Sequence, residues 1–278
     1  MARRILYLNP LGSVAFDQPI ADTIALVKDA DSEVEVVSLS LPESTPHVEY
    51  RAYQALSYGE TVRVAYDAGR RGFDAMIVGC FDDPALKEAR EVSGDMVVVA
   101  LCQASVQVAV TLANRFSIIV GRPKWIEQMT ENVRGYGLSH ALASMRSIDL
   151  GVEQLQSDPK ETERRIVAAA RRAVLEDHAE AIILGCGGAY GFHEEVQREV
   201  GVPVIDSVCA AFKLAEHMAG LKQRLGWVPS RAWSCESPPA QEIAKFGLFR
   251  HPPSFANRIL VGGTEARPVP RVASVAAV

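Results

Sequence analysis

No stretch of this 278-residue chain reaches the ~20 consecutive apolar residues that a membrane-spanning helix needs. Arg3-Arg4 is followed only by the short run Ile5-Leu6-Tyr7-Leu8, so no signal peptide is read and the cytoplasm is the expected compartment. No two cysteines have the short spacing of a structural zinc site, and no histidine pair has helical ligand spacing, so no metal is expected. Gly185-Cys186-Gly187-Gly188 lacks both the spacing and the lysine of a phosphate-cradling loop. A glycine-rich dinucleotide fingerprint and a pyridoxal-type lysine motif are missing too, so no cofactor is expected. Basic excess is also absent: 29 Lys and Arg against 34 Asp and Glu leave a net charge of −5, which gives no reason to expect nucleic acid as a partner. The pairs Arg70-Arg71 and Arg164-Arg165 lie among acidic residues and read as solvated faces. The cysteines number five, an odd count in a chain too long to need disulfide staples. They are expected as free thiols, each either packed or chemically employed.

What is present is an alternation of short apolar runs, ending in Gly, Asn or Pro, with longer amphipathic segments. That is the pattern of βα units around a mostly parallel sheet. Strands are expected at 4–8, 33–38, 75–78, 96–100, 116–120, 146–149, 181–184 and 202–205. Helices are expected at 20–29, 58–71, 86–92, 105–114, 126–136, 159–176, 192–199 and 208–219, with Asp158-Pro159 as an N-cap and first-turn proline.

The halves resemble each other. The segment Phe73 to Cys80 lies on Ala179 to Cys186 at an offset of 106 positions. The same offset carries Val97-Val98-Val99 onto Pro203-Val204-Ile205 and Ala104 onto Ala210. Register kept through strand, turn, helix and second strand implies an internal duplication. The fold class expected is therefore α/β, with two Rossmann-like lobes of mostly parallel sheet related by a pseudo-twofold axis and a site in the cleft between them. Residues 1–101 plus about 207–249 form the first lobe, 102–206 the second, and 250–278 a C-terminal extension or arm.

Each half ends a strand in apolar-apolar-Gly-Cys, which puts Cys80 and Cys186 at carboxyl ends of parallel strands, where open α/β sheets place ligands. A pseudo-twofold sets the two thiols on opposite walls of one cleft. Such a pair suits moving a proton from one face of a carbon to the other. Cysteine titrates near ~8.5, and helix N-termini or backbone N–H groups lower that value, so one thiolate and one thiol are expected to coexist near neutral pH. Open backbone N–H groups at Gly187-Gly188 can hold an enolate or carboxylate oxygen.

A single Gly-Cys at a strand end is more often a small packed residue than a catalyst. Two in equivalent positions argue otherwise. Cys102 and Cys209 fall one position out of register and read as packing residues, while Cys235 sits in a loop-like stretch. His193-Glu194-Glu195 reads as a helix opening, where acidic side chains favour the N-terminal dipole.

Asn9-Pro10, the run from Val78 to Pro84 containing Cys80-Phe81-Asp82-Asp83-Pro84, the run from Leu184 to Gly188, and Gly201 to Asp206 together resemble the hydantoin and allantoin racemase branch of the aspartate/glutamate racemase superfamily. The likeness runs from about Arg4 to about Gly247, and Cys-Phe-Asp-Asp-Pro is its most specific element. It implies cofactor-independent racemisation with Cys80 and Cys186 as acid and base, a small-molecule substrate, and a homo-oligomer (dimer, tetramer or hexamer). Substrate contacts map onto Asn9, Ser13, Phe81, Asp82, Val120, Gly121, Gly187 and Gly188. Arylmalonate decarboxylases of the same superfamily keep one cysteine, so having both fits a proton-in, proton-out reaction.

The sequence departs from that branch at Ala100 to Ala104, at Val120-Gly121-Arg122 and at Arg231 to Glu236. Losing hydroxyl donors while gaining Trp233 and Arg122 points to a different or larger substituent. The expected substrate is a 5-substituted hydantoin or related ring amide, whose ring proton is easier to remove than that of a free amino acid. Other readings are an Asp/Glu-type amino-acid racemase, an isomerase, lyase or desulfurising enzyme with a cysteine nucleophile, and a ligand-binding protein on the same fold.

Overall fold

The computed structural model describes residues 2–41 and 45–262. The first sheet is built on β1 (Arg3–Asn9), β2 (Ser32–Leu39), β3 (Ala75–Val78) and β4 (Val97–Ala100), and the second on β5 (Phe116–Val120), β6 (Leu142–Ser147), β7 (Ala181–Leu184) and β8 (Val204–Asp206). Within each sheet these strands run parallel to one another. Their orders are β4-β3-β1-β2 and β8-β7-β5-β6, so the second sheet repeats the first strand for strand. The repeat extends to single hydrogen bonds. The amide of Gly79 donates to the Leu8 carbonyl at 2.8 Å, and that of Gly185 to the Ile119 carbonyl, also at 2.8 Å. The central strands are continuous apolar runs because helices cover both faces, and Ile5 to Leu8 are fully buried.

Helix α1 (Asp17–Val27), α2 (Arg51–Arg70) and α3 (Leu86–Val92) flank the first sheet, and α5 (Ile126–Gly135), α6 (Pro159–Asp177) and α7 (His193–Val200) accompany the second. Between the sheets, α4 (Leu101–Leu112) packs on α8 (Ser207–Leu225). Helix α4 follows the first sheet yet packs on β7 and β8, while α8 follows the second and packs on β1, β3 and β4. Small buried residues, Ala104, Ala109, Ala211 and Ala215, let the pair approach and join both sheets into one apolar core. Asp158 caps α6 as its position before Pro159 requires, accepting from the Glu161 amide at 3.2 Å.

Several boundaries differ from the sequence reading. The strand read at 146–149 lies at Leu142–Ser147, where every residue is half-buried and the apolar signal is weak. Helices α2 and α4 begin earlier, at Arg51 and Leu101, and neither carries a side-chain cap from its own N-terminal residue. The region after 249, read as aperiodic, contains β9 (Phe255–Leu260). This strand pairs antiparallel with β2 at the sheet edge and alternates half-buried with exposed residues. A short helix, α9 (Ala240–Phe246), precedes it. The tail 263–278, read as an arm, lies outside the described residues.

Candidate active site

Strands β3 and β7 each run into a glycine and then a cysteine because the chain must turn against the neighbouring central strand. A methyl group on Gly79 would lie 2.4 Å from the Tyr7 ring and 2.7 Å from the Leu8 carbonyl oxygen. On Gly185 it would lie 2.7 Å from Ile118 and 3.0 Å from the Ile119 carbonyl oxygen. With no side chain there, Cys80 and Cys186 emerge into one open-sided cavity. Asn9, Phe81, Asp82, Gly187 and Gly188 line it as well. So do residues the sequence reading did not single out: Phe16 and Ile20 of α1, His47 and Glu49 of the loop before α2, and Trp125, Met129 and Val152 from the second half. Nothing in their types or spacing marks them. They reach the cavity because α1, α5 and the loops at 45–50 and 151–155 overhang the carboxyl edges of the sheets.

The thiol ionisation differs from the expectation of a pair near neutral. Burial is the largest influence on both sulfurs. Cys80 is pushed well up, with Asp82 the next cause, and Cys186 is pushed up to about 12, with Asp82 and Glu49 adding to burial. Helix N-termini do not offset this, since α3 starts only at Leu86 and α7 only at His193, beyond the first turn's reach. Backbone N–H groups give the opposing pull. The Gly188 amide lies 3.4 Å from the Cys186 sulfur, and the Asp82 amide acts on Cys80. Burial outweighs that pull on both sulfurs and disfavours the thiolate form.

The acidic pair after Cys80 divides its work. Asp83 adopts φ 49° and accepts from the amides of Cys102 and Gln103, both at 2.8 Å, and from the Tyr136 hydroxyl at 2.5 Å. It thereby caps α4, whose own N-terminal residue, Ala100, carries no capping group. Asp82 lines the cavity. One carboxylate oxygen accepts from the Gln54 side-chain amide at 2.5 Å; the other, buried, has no partner among the described residues. Burial and the neighbouring Asp83 raise Asp82 to about 7. Gln54 is fixed in turn by Gln128 at 2.7 Å and by the Val48 carbonyl at 3.1 Å.

Asn9 spends both amide hydrogens internally, on Asp17 at 2.7 Å and on the Ser13 carbonyl at 3.0 Å, and its side-chain oxygen accepts from the Leu11 amide at 3.2 Å. Asp17 is also held by Ser38 at 2.7 Å and by Asn257 at 3.1 Å, so β9 helps position Asn9.

Three residues placed in the site by sequence do not line the cavity. Ser13 supports Asn9 through its carbonyl, and its hydroxyl accepts from the Ala15 amide at 3.3 Å. Val120 is buried in the core at the end of β5. Gly121 lies against the Trp125 ring, which a methyl group there would approach to 2.5 Å; Trp125, not Gly121, forms the wall. Arg122 pairs with Glu49 at 2.9 Å rather than pointing inward. Trp233 is 92% exposed, and Cys235 borders a separate hollow with Arg90, Trp227 and Arg231, so neither shapes the cysteine cavity. Cys102 is buried in the first turn of α4, and Cys209 sits beside Asp206. His193 stands 3.9 Å from the Asp206 carboxylate, outside the cavity wall. No group of three His, Cys, Asp or Glu among the described residues is placed to hold a metal.

Comparison with known proteins agrees with this arrangement. The model of the Asp/Glu/Hydantoin racemase family matches residues 5–215. A hydantoin racemase of Rhizobium meliloti is 38% identical over 214 residues, covering 77% of this chain and 87% of that protein. One from Paenarthrobacter aurescens is 32% identical over 241 residues, covering 86% and 99%. Among solved structures, allantoin racemase from Klebsiella pneumoniae superposes with a TM-score of 0.78 at 28% identity, covering 86% of this chain and 94% of that one. A variant of arylmalonate decarboxylase shares the fold at a TM-score of 0.59 and 19% identity, covering 79% and 93%.

Proposed function

The chain belongs to the Asp/Glu/Hydantoin racemase family, and from that premise we propose that it racemises 5-substituted hydantoins by cofactor-independent proton transfer between Cys80 and Cys186. The observation that carries this reading is that two cysteines at equivalent strand ends of a duplicated fold line one cavity. One sulfur, as thiolate, takes the proton from the ring carbon, breaking C–H and forming S–H. The electron pair spreads into the adjacent carbonyl as an enolate. The opposite thiol then delivers its proton to the other face and is left as the thiolate. The backbone N–H group at Gly187 is suited to the enolate oxygen, and the Asp82 oxygen that has no partner among the described residues to a ring N–H group. Assembly into a homo-oligomer belongs to the same proposal; exposed Trp227, Phe246 and Leu248 support it as apolar surface for a second copy to cover.

The cavity also ranks substrates. Phe16, Ile20, Trp125, Met129 and Val152 give it a mostly apolar wall with space for a bulky substituent. An aromatic side group should gain from burial there, whereas the polar ureido group of allantoin would lose hydration without enough partners. Polarimetry on single enantiomers should give 5-benzylhydantoin a kcat/KM at least roughly tenfold above that of allantoin, equivalent to ~1.4 kcal/mol. Faster turnover of allantoin would refute the assignment of the apolar wall, and no turnover of any ring substrate would refute the proposed activity.

A further inference from the structure

Tyr7 is fully buried in the middle of β1, yet its hydroxyl has no hydrogen-bond partner among the described residues. Phenylalanine would fill the same space, and a buried hydroxyl left unpaired is a net cost to the fold. Its location is specific. The edge of the ring presses on the backbone of Gly79, where a methyl group would sit 2.7 Å from the ring carbon bearing the hydroxyl. The hydroxyl itself lies 3.8 Å from where a methyl on Gly187 would be. Gly79 immediately precedes Cys80, and Gly187 immediately follows Cys186. The phenol tip is thus wedged between the two cysteine turns, beneath the cavity floor.

The ionisable groups around that hydroxyl are two carboxylates and the two sulfurs. Asp206 at the end of β8 bonds the amides of Val208 and Cys209 through one oxygen, at 2.9 and 3.0 Å, and turns the other toward His193. Asp17 of α1 is occupied by Asn9, Ser38 and Asn257. The remaining ionisable groups acting on Tyr7 are the sulfurs of Cys80 and Cys186. The sulfurs, for their part, face the carboxylates of Asp82, Asp83 and Glu49 and each other; among the described residues neither Lys nor Arg lines the cavity, and His47 is the one imidazole that does. A thiolate formed here has backbone N–H groups and little else to stabilise it.

We propose that Tyr7 is a positioning residue of the two-thiol site, its hydroxyl serving as a hydrogen-bond donor shared between the cysteine turns and given to whichever sulfur carries the charge. Burial and the negative groups around it hold the phenol protonated, so it donates throughout the working range. One donor serves both half-reactions because its ring and hydroxyl lie against Gly79 and Gly187, each next in sequence to a cysteine. The inference rests on the two-thiol reading of the cavity, but its test does not require turnover.

Tyr7→Phe should be compared with the native enzyme by site-resolved alkylation of Cys80 and Cys186 with iodoacetamide across pH, read by peptide mass spectrometry. Without the donor both thiols should react roughly tenfold more slowly near neutrality, with their pH profiles displaced to higher pH, while the melting temperature does not fall. Racemisation of 5-benzylhydantoin should drop by ~10- to 100-fold in kcat/KM, with its pH profile displaced in the same direction. Alkylation profiles that superimpose on the native ones would overturn the proposal and leave Tyr7 as packing. If the native enzyme alkylates as described but racemises no hydantoin, the proposed activity fails and the role of Tyr7 stands. Should Tyr7→Phe not fold, Tyr7→Met fills a similar space without a donor and gives the same two readings.

Discussion

Replacing either Cys80 or Cys186 with serine is expected to lower racemisation by about 10³-fold or more, with each variant keeping its native melting temperature within a few degrees. Serine preserves shape and a hydroxyl hydrogen, but it is too weak an acid to supply the base or accept its role in reverse near neutrality. Both cysteines are only half-buried at the cavity wall, so little packing is lost. The double variant should be scarcely slower than either single one, because neither thiol inverts a carbon alone. Additive losses would indicate two independent sites instead of one. A variant retaining more than about a tenth of native activity would remove that cysteine from the proton path.

The second large effect falls on stability. Asp83→Ala is expected to destabilise the fold by roughly 3–5 kcal/mol, because it strips partners from three groups at once: the amides of Cys102 and Gln103, and the Tyr136 hydroxyl. Helix α4 has no other cap, and it is one of the two helices packed between the sheets. Thermal unfolding should fall by about 10 °C. Asp83→Asn, which keeps one acceptor oxygen, should lose less, and Tyr136→Phe only ~1 kcal/mol. A native melting temperature for Asp83→Ala would show that α4 is held by packing alone.

The duplicated scaffold was legible because its signal is local and twofold. Apolar-apolar-Gly-Cys appears twice at one offset, and each glycine is demanded by the close approach of Tyr7 and Leu8 on one side and Ile118 and Ile119 on the other. What escaped depends on distant partners. The start of α4 at Leu101 is set by Asp83, nearly twenty residues upstream, so nothing beside the helix announces it. Strand β9 is an edge strand with one face toward solvent, and its Phe-Ala-Asn-Arg-Ile-Leu sequence gains meaning only once β2 is beside it. The cavity wall shows the same division. Cys80, Asp82, Cys186 and Gly187 sit where strands end, whereas Phe16, His47, Glu49 and Trp125 are brought in by overhanging loops and helices. Ser13 and Gly121 were read one layer too far inward, as contacts instead of supports for Asn9 and Trp125. Thiol acidity was misjudged for a related reason: the fold spaces α3 and α7 several residues beyond the cysteines, leaving burial to dominate.

The most direct test of the two-thiol account is exchange of the ring proton in D₂O, followed by NMR separately for each enantiomer of 5-benzylhydantoin with Cys80→Ser and Cys186→Ser. The account predicts opposite selectivity: each variant exchanges the proton of one enantiomer through its remaining cysteine, with little inversion, and the two variants choose opposite enantiomers. Both variants exchanging the same enantiomer, or either one still inverting the carbon at a native rate, would contradict it.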